Sequence, residues 1–323
     1  MNRFTRTLVA IAATACVSLI ANPALAQEKI RVANSQKGLW DTTYVVYAEE
    51  AKGFFKAEGI DMELMWTDGG ADTQQAIISG SLDIGLNTGT LGVIGPIAKG
   101  APITIISASM TGSPDLWWYV RQESPIKSMK DTSDKSVSFS RVGASSHLLA
   151  MDLASHAGAK PKLVSTGGMP ATLTQVMSGQ VDVGWAGGLF SYELLQQGKI
   201  RRIAIGNDVP GMDKQTVRVH IANSNFLKNK PELVKKFLRA HAKALEWAYS
   251  DPMALEMYAK ANNVSLDIAK KVRDESYPRS ATAMRPVSGF ETSMRQAIDN
   301  KRLDKPFTPA QVKDILRYAN EPG

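Results

Sequence analysis

Cysteine is almost missing from this 323-residue chain. The single thiol, Cys16, stands inside a 13-residue apolar run, Leu8 to Ile20, that follows Arg3 and Arg6 and precedes Ala24-Leu25-Ala26. Basic residues, a short apolar run and small residues in that order read as a cleavable secretory signal over 1–26, since about 20 apolar residues are needed to span a bilayer. A lipid anchor on Cys16 is the competing reading, and Ala13-Thr14-Ala15 is a poor context for it. Cleavage leaves no thiol, which excludes disulfides, thiolate metal sites and a cysteine nucleophile. No other stretch is long and apolar enough to cross a membrane.

Histidine is scarce as well. The four residues, at positions 147, 156, 220 and 241, have no HxxxH spacing, so no metal site is expected. Ser146 and His147 are chain neighbours on one predicted helix and cannot face each other, which argues against a serine–histidine catalytic pair. No GxxxxGK[ST] segment exists, so a P-loop ATPase is excluded. Gly89-Thr90-Leu91-Gly92-Val93-Ile94-Gly95 has the wrong glycine spacing for a dinucleotide loop, and no acidic residue ends the next strand, Ile103 to Ser107. No cofactor is expected. Charge of one sign is not concentrated either: the formal +7 becomes +5 once Arg3 and Arg6 are removed, and it is scattered over solvated helices. That pattern argues against nucleic acid as a partner.

What the chain does contain is a repeat. Ser79-Gly80-Ser81-Leu82-Asp83-Ile84-Gly85 returns as Ser178-Gly179-Gln180-Val181-Asp182-Val183-Gly184, 99 residues on. Ser35 to Gly38 pairs with Ser140 to Gly143 at a spacing of 105, Gly53 pairs with Gly158 at the same spacing, and Gly70 faces Gly168 across 98. Preserved order over such landmarks points to a duplicated α/β unit. In each half a short apolar strand (Ile30 to Asn34; Ser136 to Phe139) precedes a glycine-containing loop and a helix, with Asp41 or Thr42 and Ser145 or Ser146 as candidate caps. Second strands follow at Asp61 to Thr67 and Lys162 to Thr166. Helices ending at Gly80 and Gly179 then lead into strands Leu82 to Leu86 and Val181 to Trp185. Strands alternating with helices predict a parallel sheet in each half.

Two stretches carry the chain between halves, one around Met110 to Pro114 and one around Asn207 to Gly211. The expected architecture is α/β and two-lobed, each lobe a mostly parallel sheet flanked by helices, joined by a two-strand hinge. Residues 27–112 and 218–323 form the first lobe and 113–217 the second.

Tyr44 to Phe55 followed by Lys56-Ala57-Glu58-Gly59-Ile60, the two SGxxDxG segments, and Lys230-Pro231-Glu232-Leu233 running on to Leu238 resemble solute-binding proteins of ABC importers, of the nitrate, sulfonate and taurine class. The resemblance covers essentially the whole chain after the signal, and its specificity lies in order and spacing. It implies a type II periplasmic binding fold, a periplasmic location, a small anionic solute, and an ABC permease with its ATPase as partners, with no catalysis and a monomer expected. A thiamine-precursor (pyrimidine) binding or synthesis protein of the same fold is the alternative, and that alternative would call for a reactive lysine or histidine in the cleft, where Lys37 is the one obvious lysine.

Ligands of open α/β sheets sit beyond strand carboxyl ends, near helix N-termini, which carry free N–H donors and about half a positive charge. Candidate contacts in the first half are Gln36, Gly38 and Trp40 in one loop and Asn87, Thr88 and Gly89 in another. In the second half they are Arg141, Gly143, Ala144, Ser145 and Ser146, which family members resembling this segment use for the ligand's acidic group, together with Trp185 and Gly187. Each has a plainer reading: Ser145 or Ser146 as a cap, Arg141 as a solvent-exposed or lobe-bridging residue, Trp40 as a hydrophobic staple, Trp185 as core. Trp117 and Trp118 point to opposite faces of one strand. The expected solute is an organic sulfonate or carboxylate.

Overall fold

The computed structural model describes residues 27–320. The predicted signal segment and Cys16 lie outside the described residues. Ten strands organise the chain: β1 (Glu28–Ser35), β2 (Ile60–Thr67), β3 (Ile84–Gly89), β4 (Ile103–Thr111), β5 (Leu116–Arg121), β6 (Ser136–Phe139), β7 (Lys162–Ser165), β8 (Gly184–Gly187), β9 (Ile200–Ile205) and β10 (Thr216–Asn223).

The first sheet has the order β2-β1-β3-β10-β4, with β1 parallel to both neighbours and β10 antiparallel to β3 and β4. The second is built the same way. β7 and β6 pair in parallel, β6 joins the segment entering β8 through Ser138 N–H to Val183 O (2.9 Å) and Val183 N–H to Ser136 O (3.0 Å), and β5 lies antiparallel between β8 and β9. Four strands of five therefore run one way in each lobe, and the single reversed strand, β10 or β5, is the one that has just arrived from the other lobe. The chain crosses between the sheets after β4 and after β9. This is the two-lobed, mostly parallel architecture that the alternation of strands and helices predicts.

The duplication extends to hydrogen bonds. Asp83 accepts from the backbone N–H of Arg31 (2.9 Å) and from its guanidinium (2.6 and 3.1 Å), while Asp182 accepts from the N–H (2.9 Å) and hydroxyl (2.7 Å) of Ser136. The aspartate of SGxxDxG thus pins the parallel strand beside it in each lobe, β1 at Arg31 and β6 at its first residue. Thr67 and Thr73 share a hydroxyl pair at 2.7 Å, and Thr166 and Thr172, 99 residues on, share one at 2.6 Å. Gly80 and Gly179 take the left-handed backbone (φ 74° and 80°) that stops the preceding helix, so the repeated motif is scaffold.

Two expectations need correction. The strands of the repeat are shifted toward the cleft, to 84–89 and 184–187, because Leu82, Asp83 and Val181, Asp182 are used up by the helix stop and the aspartate clamp. The helices Trp40–Lys52 and Ser145–His156 start at Leu39 and Ala144 with no side-chain cap, so neither Asp41, Thr42, Ser145 nor Ser146 caps them. Their short side chains are bonded elsewhere: Thr42 Oγ1 donates to Gln36 O (2.7 Å), and Ser146 Oγ pairs with Ser140 Oγ (2.8 Å).

Candidate functional site

Between the lobes lies a cavity of about 30 Å³. The first lobe contributes Ser35, Gln36, Leu39 and Thr42 around the start of helix Trp40–Lys52, Gly69 and Gly70 at the start of helix Gly70–Ile78, and Asn87 from β3. The second contributes Ser140, Ala144, Ser145 and Ser146 at the start of helix Ser145–His156, with Leu116 and Trp185. Arg218 of β10 completes the wall.

Three helix N-termini converge here, and none carries a side-chain cap. Four α-helices have a starting residue that accepts a backbone N–H, at Asn223, Asp251, Ser265 and Thr308, and they lie outside the cavity, as do further uncapped starts such as those of the helices Thr90–Ala98 and Phe290–Asp299. An uncapped first turn leaves N–H donors that need an acceptor from elsewhere. Arg218 adds a buried guanidinium whose Nε has no hydrogen-bond partner among the described residues. Its Nη2 is 2.7 Å from Asp115 Oδ1 and its Nη1 3.7 Å from Asp41 Oδ2. Burial opposes the charge on Arg218, yet the two carboxylates outweigh it and hold the guanidinium protonated above its ordinary value. Burial pushes the Asp41 carboxyl up to about 6, against the lowering pull of Arg218.

The candidate residues divide. Gln36, Asn87, Ala144, Ser145, Ser146 and Trp185 line the cavity. Asn87 sits in left-handed backbone (φ 58°), held by its N–H to His220 Nδ1 (3.2 Å), and both its amide protons are committed, to Asn34 Oδ1 (3.0 Å) and Asp41 O (3.3 Å). Gln36 Nε2 donates to Asp68 O. Trp40 is fully buried between Tyr249 and Tyr258 and is not on the cavity wall, since the helix starting at position 40 turns it into the core. Thr88 is buried in the sheet, its hydroxyl donating to Val219 O (3.1 Å). Gly38 and Gly187 face Asn262 and Leu116.

Arg141 spans the mouth rather than the interior: its Nε is 2.8 Å from Asp72 of the first lobe, the lobe-bridging alternative. Gly89 and Gly143 lie where the lobes touch, a Cβ on Gly89 falling 2.9 Å from Ser145 N and 3.0 Å from Gly143 O. His147 leans on Phe139 at 4.3 Å, and burial first, then Arg302, lowers it to about 4. Trp117 and Trp118 are both buried off the cavity; Arg202 stacks on the former, and the latter donates to Ser138 O.

Sequence reasoning missed Ser35, Thr42, Gly69, Gly70, Leu116 and above all Arg218. The signal for Arg218 was present. Val217, Val219 and Ile221 alternate with Arg218 and His220, and a cation on the inner face of an otherwise apolar strand has to meet a partner.

No lysine, histidine, cysteine or carboxylate lines the cavity among the described residues. The arrangement can hold an acceptor-rich solute.

Two lobes of matching topology around such a cavity define a periplasmic-binding-protein fold. The solved structures agree: the aliphatic sulphonate binding protein SsuA of Escherichia coli superposes with a TM-score of 0.69 at 20% identity over 92% of this chain and 93% of that one. The nitrate-binding protein NrtA of Synechocystis PCC 6803 gives 0.67 at 14% identity over 91% and 86%. By sequence, the NMT1/THI5 like model matches residues 41–254, and the chain belongs to that family. A 4-amino-5-hydroxymethyl-2-methylpyrimidine phosphate synthase of Saccharomyces cerevisiae, THI12, is 23% identical over 224 residues, 64% of this chain and 64% of its own length. The match therefore spans under two-thirds of the length of this relative.

Proposed function

We propose that this protein is the periplasmic solute-binding component of an ABC importer and that it clamps a small organic anion, a sulfonate or carboxylate, between its lobes. The observation that carries the reading is the convergence of three uncapped helix N-termini and a buried arginine on one cavity. Each terminus contributes about 0.3–1 kcal/mol to an exposed anion and about 2 kcal/mol to a partly buried one. A micromolar solute needs about 8 kcal/mol, so charge-assisted bonds from Arg218 and the apolar area of Leu39, Leu116 and Trp185 supply the remainder.

In this reading 27–112 with 218–323 and 113–217 move as two bodies about the crossings after β4 and β9, and the closed form is what a permease recognises. Ser145 and Ser146 receive the acidic group, with Gln36, Asn87, Ala144 and Trp185 around it. The chemistry is binding alone.

A second reading is favoured by the family match and by the fungal pyrimidine phosphate synthases: a thiamine-precursor binding or synthesis protein. A thermal-shift panel of sulfonates, carboxylates, nitrate and pyrimidines separates them. A true solute at 100 times its Kd adds about 2.7 kcal/mol of stability. Stabilisation by pyrimidines alone, or a pyridoxal phosphate absorbance in the purified protein, would replace the first reading with the second.

A further inference from the structure

The two lobes also touch away from the cavity wall, where Arg302 of the first meets His147 of the second. Arg302 follows the helix Phe290–Asp299. Its backbone N–H donates to Ala297 O (2.7 Å), and its carbonyl oxygen packs on the helix Thr90–Ala98 so closely that a Cβ on Gly95 would lie 3.0 Å from it. The backbone is thus held by the first lobe while the side chain reaches over the second. Its Nη2 is 3.4 Å from His147 Nδ1, and its Nη1 would be 3.2 Å from a Cβ on Gly143. Among the described residues no carboxylate pairs with this guanidinium, and burial disfavours its charge.

Nδ1 of His147 receives two donors. The N–H of Gly143 reaches it at 3.4 Å from the loop before the helix Ser145–His156, and the Arg302 guanidinium reaches it from the other lobe. A ring nitrogen facing two donors has to be the unprotonated one, so the contact requires a neutral His147 with its proton on Nε2. Protonation turns that acceptor into a donor and sets two cations side by side across the seam. Burial and then Arg302 hold the ring at about 4 here, against 6.5 for the unperturbed group.

Resting on the reading above that the lobes close around a solute, we propose that Arg302 and His147 form a latch that favours the closed form and that a proton on His147 releases. Neither residue lines the cavity, so the latch acts on closure and not on the solute. The closed form is favoured in full above pH 6.5 and loses this support as pH falls toward 4. Of the elements packed on the helix Ser145–His156, β6 and the helix Thr90–Ala98 carry no titratable side chain. The turns Met129–Thr132 and Gly206–Asp208 carry Lys130, Asp131 and Asp208, and the helix Phe290–Asp299 carries Glu291, Arg295 and Asp299. Arg141, in the loop before the helix, is held by Asp72. None of these joins Arg302 in lowering His147. Asp152, on the same helix as His147, accepts from Gln296 Nε2 of the first lobe (2.8 Å), and burial pushes it up to about 6. It takes up a proton on closing where His147 gives one up, so substitution rather than pH alone separates the two.

Titration calorimetry on the chain lacking 1–26, at about pH 7.5 and about pH 5, tests this with propanesulfonate and trifluoroacetate, which both stay ionised over that interval. His147→Asn keeps an acceptor where Nδ1 stands and cannot take up a proton there. Between the two pH values the Kd of the parent should rise about tenfold more than that of His147→Asn, which follows from the span between 6.5 and about 4 once the half-buried ring is allowed for. Arg302→Gln, which removes the like charge and leaves the ring, should shrink that excess and serves if His147→Asn does not fold. Equal pH ratios in the parent and both variants overturn the latch and leave the anion reading standing. If neither probe binds at about pH 7.5, the anion reading fails, and ring NMR of the solute-free chain decides the latch. The His147 signal, identified by its absence from His147→Asn, should then titrate well below 6.5 and move up in Arg302→Gln. Titration near 6.5 in both overturns the latch.

Discussion

At the scale of single residues, Asp41 links the binding region to stability. Its carboxyl lies at about 6 in the folded chain against 3.8 for the unperturbed group, because burial disfavours the charge more than Arg218 restores it. A folded pKa above the unfolded one means that the native state holds the proton more tightly. The stability so conferred is complete below pH 3.8 and is lost as pH rises through 6. Between those limits the solute-free protein should lose roughly 2–3 kcal/mol at this one site. Asp41→Asn should lose none of it. Melting curves of both proteins across that interval check the point: the variant should match the parent in acid and melt higher at neutral pH, and parallel curves would show that Asp41 ionises at no cost.

The same scale shows why the site was only partly readable in the sequence. Ser145 and Ser146 were found because small residues before an apolar helix mark a helix start wherever they occur. Trp40 was misplaced since one step along a helix rotates a side chain by about 100°, and a loop boundary uncertain by one residue decides between cavity and core. Arg218 was passed over because β10 read as connection rather than wall. Its meaning depends on Asp41 and Asp115, which stand 177 and 103 positions away.

Among the elements, the helix Thr90–Ala98 decides how far the lobes can close. Its first turn is Thr90-Leu91-Gly92, and a Cβ on Gly92 would lie 2.3 Å from the carbonyl oxygen of Gly143, a backbone atom with little freedom to yield. Gly92→Ala should therefore hold the lobes apart without disturbing either core. Small-angle scattering with saturating solute should give a larger radius of gyration than the parent, and affinity should fall about tenfold or more, since the closed state is then a minor population. An unchanged radius and affinity would mean that the loop 141–144 shifts to make room. The element level was also where sequence reading served best: the repeat of glycine, aspartate and threonine positions reports hydrogen bonds local to each lobe, and local bonds survive in a one-dimensional pattern.

For the whole molecule, the mouth of the cleft is bridged by Arg141 to Asp72, with Asp68 at 3.9 Å. The guanidinium is half exposed, and an exposed pair is worth about 0.2–1 kcal/mol. Arg141→Ala should then weaken solute binding by less than about fivefold, and the difference between parent and variant should vanish by about 0.5 M salt, where charges a few ångströms apart are screened. A larger, salt-independent loss would place Arg141 on the solute. That each half is a mostly parallel sheet followed from the alternation of strands and helices; where the two sheets meet, and what they enclose, did not, because no local pattern records contacts made across 100 residues of chain.

Each lobe's reversed strand occupies the fourth position of its sheet, and the two lobes pay for this unequally. All five strands of the second lobe, β5 to β9, come from one uninterrupted stretch, so that lobe needs no later segment to complete its sheet. The first lobe cannot: β3 and β4 flank a slot that stays empty until β10 arrives, more than 100 residues after β4 ends. Until then two apolar strands expose unpaired backbone, the template on which foreign strands add. The inserted lobe is therefore complete in one stretch of chain, and the interrupted lobe is the one whose sheet depends on a strand from far along the sequence.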